Sequence, residues 1–364
     1  MCIISTAESA ATDKGNTMTT IADVAAHAGV GVGTVSRVLT GNPQVSPETR
    51  SQVLASIELL KYRPSRTSAR RATNKTGYVG VVVPFFDTPS VYPRVRGIVN
   101  RLQPHGFNIV LFNLDTPDLA RKTMADIPFS TTLSGLIVIS LPLQEAEVDR
   151  LVAARFPTIL IDTRHSQLSS VTVDDYVGGR LSTGHLLSMG HERIAFVGEP
   201  IHNPFGFVSS RHREEGYREA MRDAGLPVRP GYVRHAAHLR TAARQQATQL
   251  LALTDRPTAI VAASDMQALG ALEAVTAAGL ESPRDVSVIG YDDIELSSHV
   301  GLSTIRQPLN GSGERGAELL IDAIAAGRKT NHFDELLPVE LVVRSTTAPP
   351  PSNGDLAARQ QRTA

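Results

Sequence analysis

From residue 78 to residue 343 short β-branched apolar runs alternate with longer amphipathic stretches, and no other feature of the chain limits its fold so strongly. The runs at 78–83, 108–112, 135–139, 158–161, 193–197, 259–262, 286–290 and 338–343 are predicted strands. Segments such as 92–102, 177–187 and 242–251 repeat apolar residues at helical spacing between them. Such βα repetition gives parallel sheets covered by helices on both faces. About 270 residues of it exceed one comfortable core, so two lobes are expected. Ligands of such sheets sit beyond the carboxyl ends of the strands, and two lobes place that crevice between them.

Residues 20–60 follow a different rule. Thr20 is a predicted N-cap with Asp23 three residues on, and Ile21, Val24, Ala25 and Ala28 share a helical face. Gly29 supplies a sharp turn. A second helix fits about 32–39, with Val35, Val38 and Leu39 inward and Gly33, Thr34, Ser36 and Arg37 outward. A third begins with Ser46 as cap, Pro47 in the first turn and Glu48 at the positive helix end, and buries Val53, Leu54, Ile57 and Leu60. Two short helices meeting at a glycine turn present the second to the major groove of DNA.

Charge supports that use. Residues 18–76 hold eight basic side chains (Arg37, Arg50, Lys61, Arg63, Arg66, Arg70, Arg71, Lys75) against Asp23, Glu48 and Glu58, a net of +5 in a chain with 36 basic and 36 acidic residues. A basic head on a mildly acidic body binds phosphate by one end. Arg37 is the candidate for base readout, because a guanidinium pairs bidentately with guanine.

With 364 residues and 41% hydrophobic content, the chain has enough material for a sizeable core. One cysteine, Cys2, excludes a disulfide framework and a thiolate metal cluster, and fits a reducing compartment. Residues 1–17 lack a signal peptide's basic start and apolar run, and no stretch is long enough to span a bilayer. The expected location is cytoplasmic, with the nucleoid. Expected divisions are a disordered extension at 1–17, a helix-turn-helix domain at 18–62, a hinge and linker at 63–76, a two-lobed effector-binding and dimerisation domain at 77–347, and a disordered tail at 348–364. Translation from Met1 or from Met18 is left open.

Catalytic chemistry finds little support. The run from Gly311 to Gly316 matches G-x-G-x-x-G, but one predicted strand follows it and no complete βαβ unit is available, so a loop and helix start is the expected role. His185 and His191 do not share a helix face; His235 and His238 lack a carboxylate nearby in sequence, so metal binding is not expected. Asp174-Asp175 and Asp292-Asp293, read as strand neighbours, point to opposite faces and make poor acid–base pairs. No serine sits in a nucleophile elbow. The expectation is no enzyme, no cofactor and no metal. Polar residues just after strands (Ser90, Ser264, Asp292) and Arg213 ahead of a helix suit binding of hydroxyl-rich small molecules.

Asp23-Val24-Ala25, Ala28-Gly29-Val30, the run from Thr34 to Leu39 and Tyr62-Arg63-Pro64-Ser65 closely resemble the LacI/GalR family of bacterial transcription regulators. Independent strings far along the chain, Val288-Ile289-Gly290-Tyr291-Asp292-Asp293 and the run from Leu302 to Pro308, extend the resemblance over the body. It implies a small all-α helix-turn-helix head before a two-lobed α/β body of the periplasmic-binding-protein type with parallel sheets. By resemblance Val32 and Gly33 occupy specificity positions, Thr34 and Ser36 position the helix on phosphate, and Thr40, Gln44, Ser46 and Thr49 reach the DNA backbone. Gly31 departs from the serine that often starts this helix. Residues 64–71 correspond to the hinge helix, with Ser65, Arg66, Arg70 and Arg71 toward the minor groove; Arg71 stands where relatives carry a leucine wedge. That substitution points to a hinge held by charge in a narrow groove, with less kinking. Effector roles fall on Arg213, Asp292 and Ser264, and also on Ser90, Ser209 and His238. Where many relatives show two aromatics after the first strand, Ser90 and Val91 remove a stacking wall. The implied partners are double-stranded operator DNA, a second copy of the chain and a small effector, expected to be a carbohydrate; repression is the commoner mode in the family. Whether the effector releases or secures DNA is left open, and no tail-mediated tetramer is predicted.

Overall fold

The computed structural model describes residues 19–39, 42, 44–60, 62, 77–327 and 332–351. Thr40, Ser65, Arg66, Arg70, Arg71 and the whole hinge assignment lie outside the described residues. The chain forms two compact units, residues 1–75 with 126–133, and residues 76–125 with 134–364.

In the first unit three helices enclose a small core. Helix α1 spans Ile21–His27, α2 spans Val32–Leu39 and α3 spans Pro47–Leu59. Thr20 and Asp23 cap α1 reciprocally: Thr20 Oγ1 accepts from the Asp23 amide at 3.3 Å, and an Asp23 carboxylate oxygen accepts from the Thr20 amide at 2.8 Å. These hydrogen bonds hold the Asp23 carboxyl below its usual range. Gly29 turns the chain at φ +63°, a conformation glycine adopts without Cβ strain. Val24, Ala25, Ala28, Val35, Val38, Leu39, Val45, Val53 and Ile57 are buried together. Each large aliphatic among them contributes about 1.5–3 kcal/mol. Two polar ties add to this core. The Ser56 hydroxyl donates to the Gln52 carbonyl at 2.9 Å and pairs with His27 Nδ1 at 3.0 Å, joining α1 to α3. Arg50 donates to the carbonyls of Val38 (3.4 Å) and Asn42 (2.9 Å), where the end of α2 leaves acceptors unmet. Arg50 therefore works as a brace for α2, though its charge counts toward the basic head.

The second unit is a pair of six-stranded sheets. Lobe one contains β1 (Gly77–Val83), β2 (Phe107–Asn113), β3 (Leu133–Ile139), β4 (Thr158–Ile161), β5 (Ser169–Val173) and β11 (Asp334–Leu337), in the order β11-β5-β4-β3-β1-β2. Lobe two contains β6 (Ile194–Gly198), β7 (Val233–His235), β8 (Ala259–Ala262), β9 (Ser287–Asp292), β10 (Ser303–Arg306) and β12 (Glu340–Val342), in the order β12-β10-β9-β8-β6-β7. The β1–β2, β3–β4, β4–β5, β6–β8 and β9–β10 pairs are parallel, and β12 closes the second sheet antiparallel to β10. Parallel pairing needs covering helices, and the chain supplies α4 (Val91–Leu102), α5 (Pro117–Asp126), α6 (Glu145–Ala153), α7 (Asp175–Ser188), α8 (Ser209–Asp223), α9 (Arg240–Leu251), α10 (Asp265–Ala277), α11 (Glu295–His299) and α12 (Leu309–Ala326). The chain passes between lobes after β5, at Gln307-Pro308 after β10, and between β11 and β12.

The strands at 158–161 and 259–262 match their prediction, and most others shift by a residue or two. Four strands carry no run in the sequence reading: β5, β7, β10 and β11. Their sequences are polar (Ser169, Ser170, Thr172; Arg234, His235; Ser303, Thr304, Arg306; Asp334, Glu335), and neighbouring strands recruit them. The run from Gly311 to Gly316 holds no loop but does sit at a helix start: it occupies the first two turns of α12, which begins at Leu309, and β11 and β12 both follow it. A Cβ at Gly313 would strike the Arg94 carbonyl, and one at Gly97 would strike the Asn310 carbonyl, so these glycines let α4 and α12 touch backbone to backbone. Asp174 and Asp175 are not on a strand: Asp174 caps α7, accepting from the Val177 amide at 3.0 Å, and Asp175 begins the helix. The stretch expected to be a disordered tail begins ordered, since the Ala348 carbonyl accepts from the Ser287 hydroxyl at 3.0 Å and its amide donates back at 3.1 Å. Among the described residues no helix is long and apolar enough to cross a membrane, and no group of three metal-ligating side chains is found.

Candidate functional site

Two surfaces carry chemistry, one in each unit. On α2 the buried positions Val35, Val38 and Leu39 turn Val32, Gly33, Ser36 and Arg37 outward; Thr34 is half-buried. Gly33 faces open space except for an Arg37 guanidinium nitrogen 3.9 Å from where a Cβ would stand, so the arginine lies along the glycine's side of the helix. Ser46 and Thr49 are engaged with each other: Ser46 Oγ accepts from the Thr49 amide at 3.3 Å and donates to its hydroxyl at 3.1 Å, capping α3. The cap leaves part of each hydroxyl's capacity for a phosphate. Gln44 is exposed, with its amide donating to Asn42 Oδ1 at 2.9 Å.

In the second unit the polar residues gather at the carboxyl ends of the central strands, between the lobes. Arg213 of α8 is 7% exposed. Its Nε donates to Asp175 Oδ1 at 2.8 Å, Nη1 donates to the Ala263 carbonyl at 2.5 Å and stands 3.9 Å from Asp292 Oδ1. The guanidinium carbon lies 3.6 Å over the centre of the Tyr291 ring. The close seat depends on glycine: a Cβ at Gly179 would strike the Arg213 carbonyl, and one at Gly178 would strike the Tyr291 hydroxyl. Burial opposes the Arg213 charge, and Asp175 and Asp292 more than restore it.

Asp292 ends β9 at φ +120° and Asp293 follows at φ +59°, two successive non-glycine residues in a costly backbone region. The turn separates their roles. Asp293 pairs with Arg306 and Arg344, each at 2.7 Å, and braces the sheet edge. Asp292 is 4% exposed and accepts from Gln307 Nε2 at 2.6 Å. Burial pushes its carboxyl up; Arg213, His238 and Arg94 pull it part of the way back. Its neighbour Asp265 is fully buried and serves the fold, accepting from the Ile294 amide (2.9 Å) and the Ser297 and Thr304 hydroxyls (both 2.6 Å).

The histidines do have carboxylate partners, brought by other elements rather than by local sequence. His238 Nδ1 pairs with Glu199 at 2.8 Å, and His235 Nε2 pairs with Glu214 at 2.7 Å. Burial pulls the His238 imidazole down, and the bond to Glu199 more than reverses that, raising it above the usual histidine range. His191 is structural: its two nitrogens meet the Thr258 hydroxyl (2.9 Å) and the Ala348 carbonyl (2.8 Å).

The serines divide. Ser264 is fully buried and caps α10, accepting from the Gln267 amide at 3.2 Å. Ser90 sits at the N-cap position of α4 without a side-chain cap bond, and Ser209 opens α8. An aromatic wall exists after all, from residues the sequence reading passed over. Phe85, at φ +52° just after β1, meets Phe205 edge to face at 5.2 Å, and Phe205 stacks on Phe207 at 5.2 Å. Phe85 belongs to lobe one; Phe205 and Phe207 lie on the lobe-two loop after β6, pinned by two 2.8 Å bonds between Asn203 and the Phe207 backbone. Asp175, Glu199, Tyr291, Gln307, Asp162 and Arg94 were also missed. Only Asp292's neighbour Tyr291 and the string ending in Gln307-Pro308 carried a signal.

A three-helix head with an exposed second helix, followed by a two-lobed parallel body with a charged cleft, defines a DNA-binding regulator with a ligand-sensor body. The family described as bacterial regulatory proteins, lacI family, matches residues 20–65, and a periplasmic binding protein-like domain matches residues 183–347. The chain is similar to the ribose operon repressor of Escherichia coli, at 31% identity over 88% of this chain and 98% of that one. Among solved structures it is similar to a transcriptional regulator CelR–cellobiose complex (31% identity, TM-score 0.67, 90% of this chain and 99% of that one). It is also similar to the lac repressor dimer bound to operator and an anti-inducer (29% identity, TM-score 0.66, 91% and 99%). The chain belongs to the lacI family of transcriptional regulators.

Proposed function

We propose that two copies of this chain bind a near-palindromic operator through their α2 helices, and that a small carbohydrate in the interlobe cleft alters that grip. The observation that carries the effector half is the Arg213–Asp292 pair. A buried guanidinium already anchored by Asp175 leaves Asp292 to accept hydroxyl hydrogen bonds, while His238 and Glu199 offer a second polar edge. The Phe85, Phe205 and Phe207 rings add an apolar wall suited to the C–H face of a sugar ring. The relatives named with cellobiose and ribose point the same way.

Two heads are needed because one α2 helix reaches few bases. The surface supports a second copy. A groove of about 950 Å³ is lined by Pro89, Tyr92, Pro93, Met266, Ile294 and Leu296 together with polar side chains that include Arg96, Glu295 and Glu314, and Tyr92 is 60% and Leu296 48% exposed. The similar lac repressor structure is a dimer on operator. Ligand closure of the cleft moves one lobe against the other, and a coupling of about 1–3 kcal/mol is enough to regulate DNA occupancy.

The test is selection of bound duplexes from a random DNA library, followed by titration of the selected site with ribose, cellobiose, maltose and glucose present. A two-fold symmetric consensus and a shift in affinity with one of these sugars are expected. No consensus under any condition defeats the regulator reading; a consensus untouched by all sugars, together with stabilisation by a different metabolite class, defeats the carbohydrate assignment.

A further inference from the structure

Arg94 lies in the second turn of α4, with only 3% of its surface exposed. Its Nη1 donates to the Ser90 carbonyl at 3.1 Å; Nη2 donates to Gln307 Oε1 at 3.1 Å and stands 3.3 Å from Asp162 Oδ1. The Ser140 hydroxyl donates to the other Asp162 oxygen at 2.7 Å. From Gln307 the chain of contacts continues: Nε2 donates to Asp292 Oδ1 at 2.6 Å, and Asp292 faces Arg213. One continuous polar path thus runs from Ser140 and Asp162 in lobe one to Asp292 and Arg213 in lobe two.

Gln307 sits where the chain crosses between lobes. Its amide has one acceptor end and one donor end. The acceptor faces a cation and the donor faces a carboxylate, so the charges on either side fix its orientation. The space beside it, lined by Arg94, Asp162, Thr172, Gln307 and Ser312, has a volume of about 10 Å³, room for about one water. The buried charge of Arg94 is costly to its lobe unless it completes such a path.

We propose that Arg94 is a positioning residue of the cleft: through Gln307 it sets where the Asp292 carboxylate stands, and it ties the two lobes together. A ligand that draws Asp292 Oδ1 away from the Gln307 amide loosens the link to Arg94. This last step rests on the reading of Asp292 as a ligand contact. The consequence reaches α4, whose residues Tyr92 and Pro93 line the groove assigned to the second copy. The glycine contacts of Gly97 and Gly313 pack α4 backbone to backbone against α12.

The tie is tested without any ligand. In full-length protein with Cys2→Ser, spin labels are placed through Ala153→Cys in α6 and Ala277→Cys in α10, both exposed positions in opposite lobes, and interlobe distances are measured with labelled protein diluted in unlabelled. Arg94→Met and Gln307→Glu are each expected to broaden the distribution toward longer distances. Gln307→Glu sets a carboxylate against Asp292. Adding Asp292→Asn to it supplies an amide that donates to the new carboxylate, which still accepts from Arg94, so the parent distribution is expected to return. The rescue reads the Gln307–Asp292 contact, and Arg94→Met reads the link from Arg94 to it. Should Gln307→Glu not fold, Gln307→Leu is measured in its place. Unchanged distances in Arg94→Met and the Gln307 variant, or failure of the exchanged pair to restore them, overturns the proposal. Thermal shift with ribose and cellobiose is run in parallel: absence of binding in the parent counts against the carbohydrate reading and leaves the distance result standing.

Discussion

His238 and Glu199 hold each other's charge across 2.8 Å, and the pH dependence of the pair follows from their opposite shifts. An imidazole raised in the folded protein adds stability that is complete below its unfolded value and fades as pH rises through the folded one. Burial pushes the Glu199 carboxyl up and His238 pulls it further down, so its contribution is present above its unfolded value and is lost as pH falls. The two overlap between about pH 4.3 and 6.5. Glu199→Gln should therefore lower Tm most near the middle of that window and progressively less toward alkaline pH. Melting curves across pH check this, and a pH-independent difference would contradict it. Arg37 makes a second prediction at this scale. Arg37→Ala should weaken specific DNA binding by about 1–3 kcal/mol and relax the preference for guanine at one position of each half-site. Competition binding with single-base operator variants reads both effects; a uniform loss over all sequences would make Arg37 a phosphate contact.

At the scale of elements, helix pairs are set by glycine. Gly97 and Gly313 let α4 and α12 meet backbone to backbone, and Gly179 and Gly216 do the same for α7 and α8, which seat Arg213. Gly97→Ala forces its Cβ into the Asn310 carbonyl, backbone that can yield only by separating the helices. A loss of about 1–3 kcal/mol in urea unfolding is expected. Gly184→Ala is the contrast: it lies in α7 with nothing within 4 Å of its Cβ position, and should stabilise by about 0.5–1 kcal/mol. Equal effects at the two sites would remove the packing argument. The glycine cluster at 311–316 illustrates the ambiguity of a motif. Its spacing suits a phosphate loop, and the same spacing inside a helix places Gly313 against the Arg94 backbone and Gly316 against the Ile161 side chain.

For the whole molecule, the proposed function calls for two copies and a relative motion of the lobes. Tyr92→Arg replaces an exposed aromatic side chain of this mixed apolar and polar groove with a charge while leaving the lobe cores untouched. It should shift the protein toward monomer in sedimentation and cost operator affinity much more than it costs sugar affinity. A variant that remains dimeric would move the interface elsewhere. DNA binding should also weaken steeply with salt, since phosphate contacts dominate affinity.

The sequence by itself determined the three head helices, their caps at Thr20 and Ser46, the outward face of α2, and the parallel two-lobed plan, because these depend on periodicity and on residues within a turn of each other. It also singled out Arg213 and Asp292. Only the tertiary structure decided their partners: Asp175 lies 38 positions from Arg213, and Arg94 lies 213 positions from Gln307. The polar strands β5, β7, β10 and β11, the Phe85–Phe205 wall and the carboxylates of His235 and His238 have the same origin. Pairing across lobes depends on which strand ends the topology brings together, and local pattern contains no record of that.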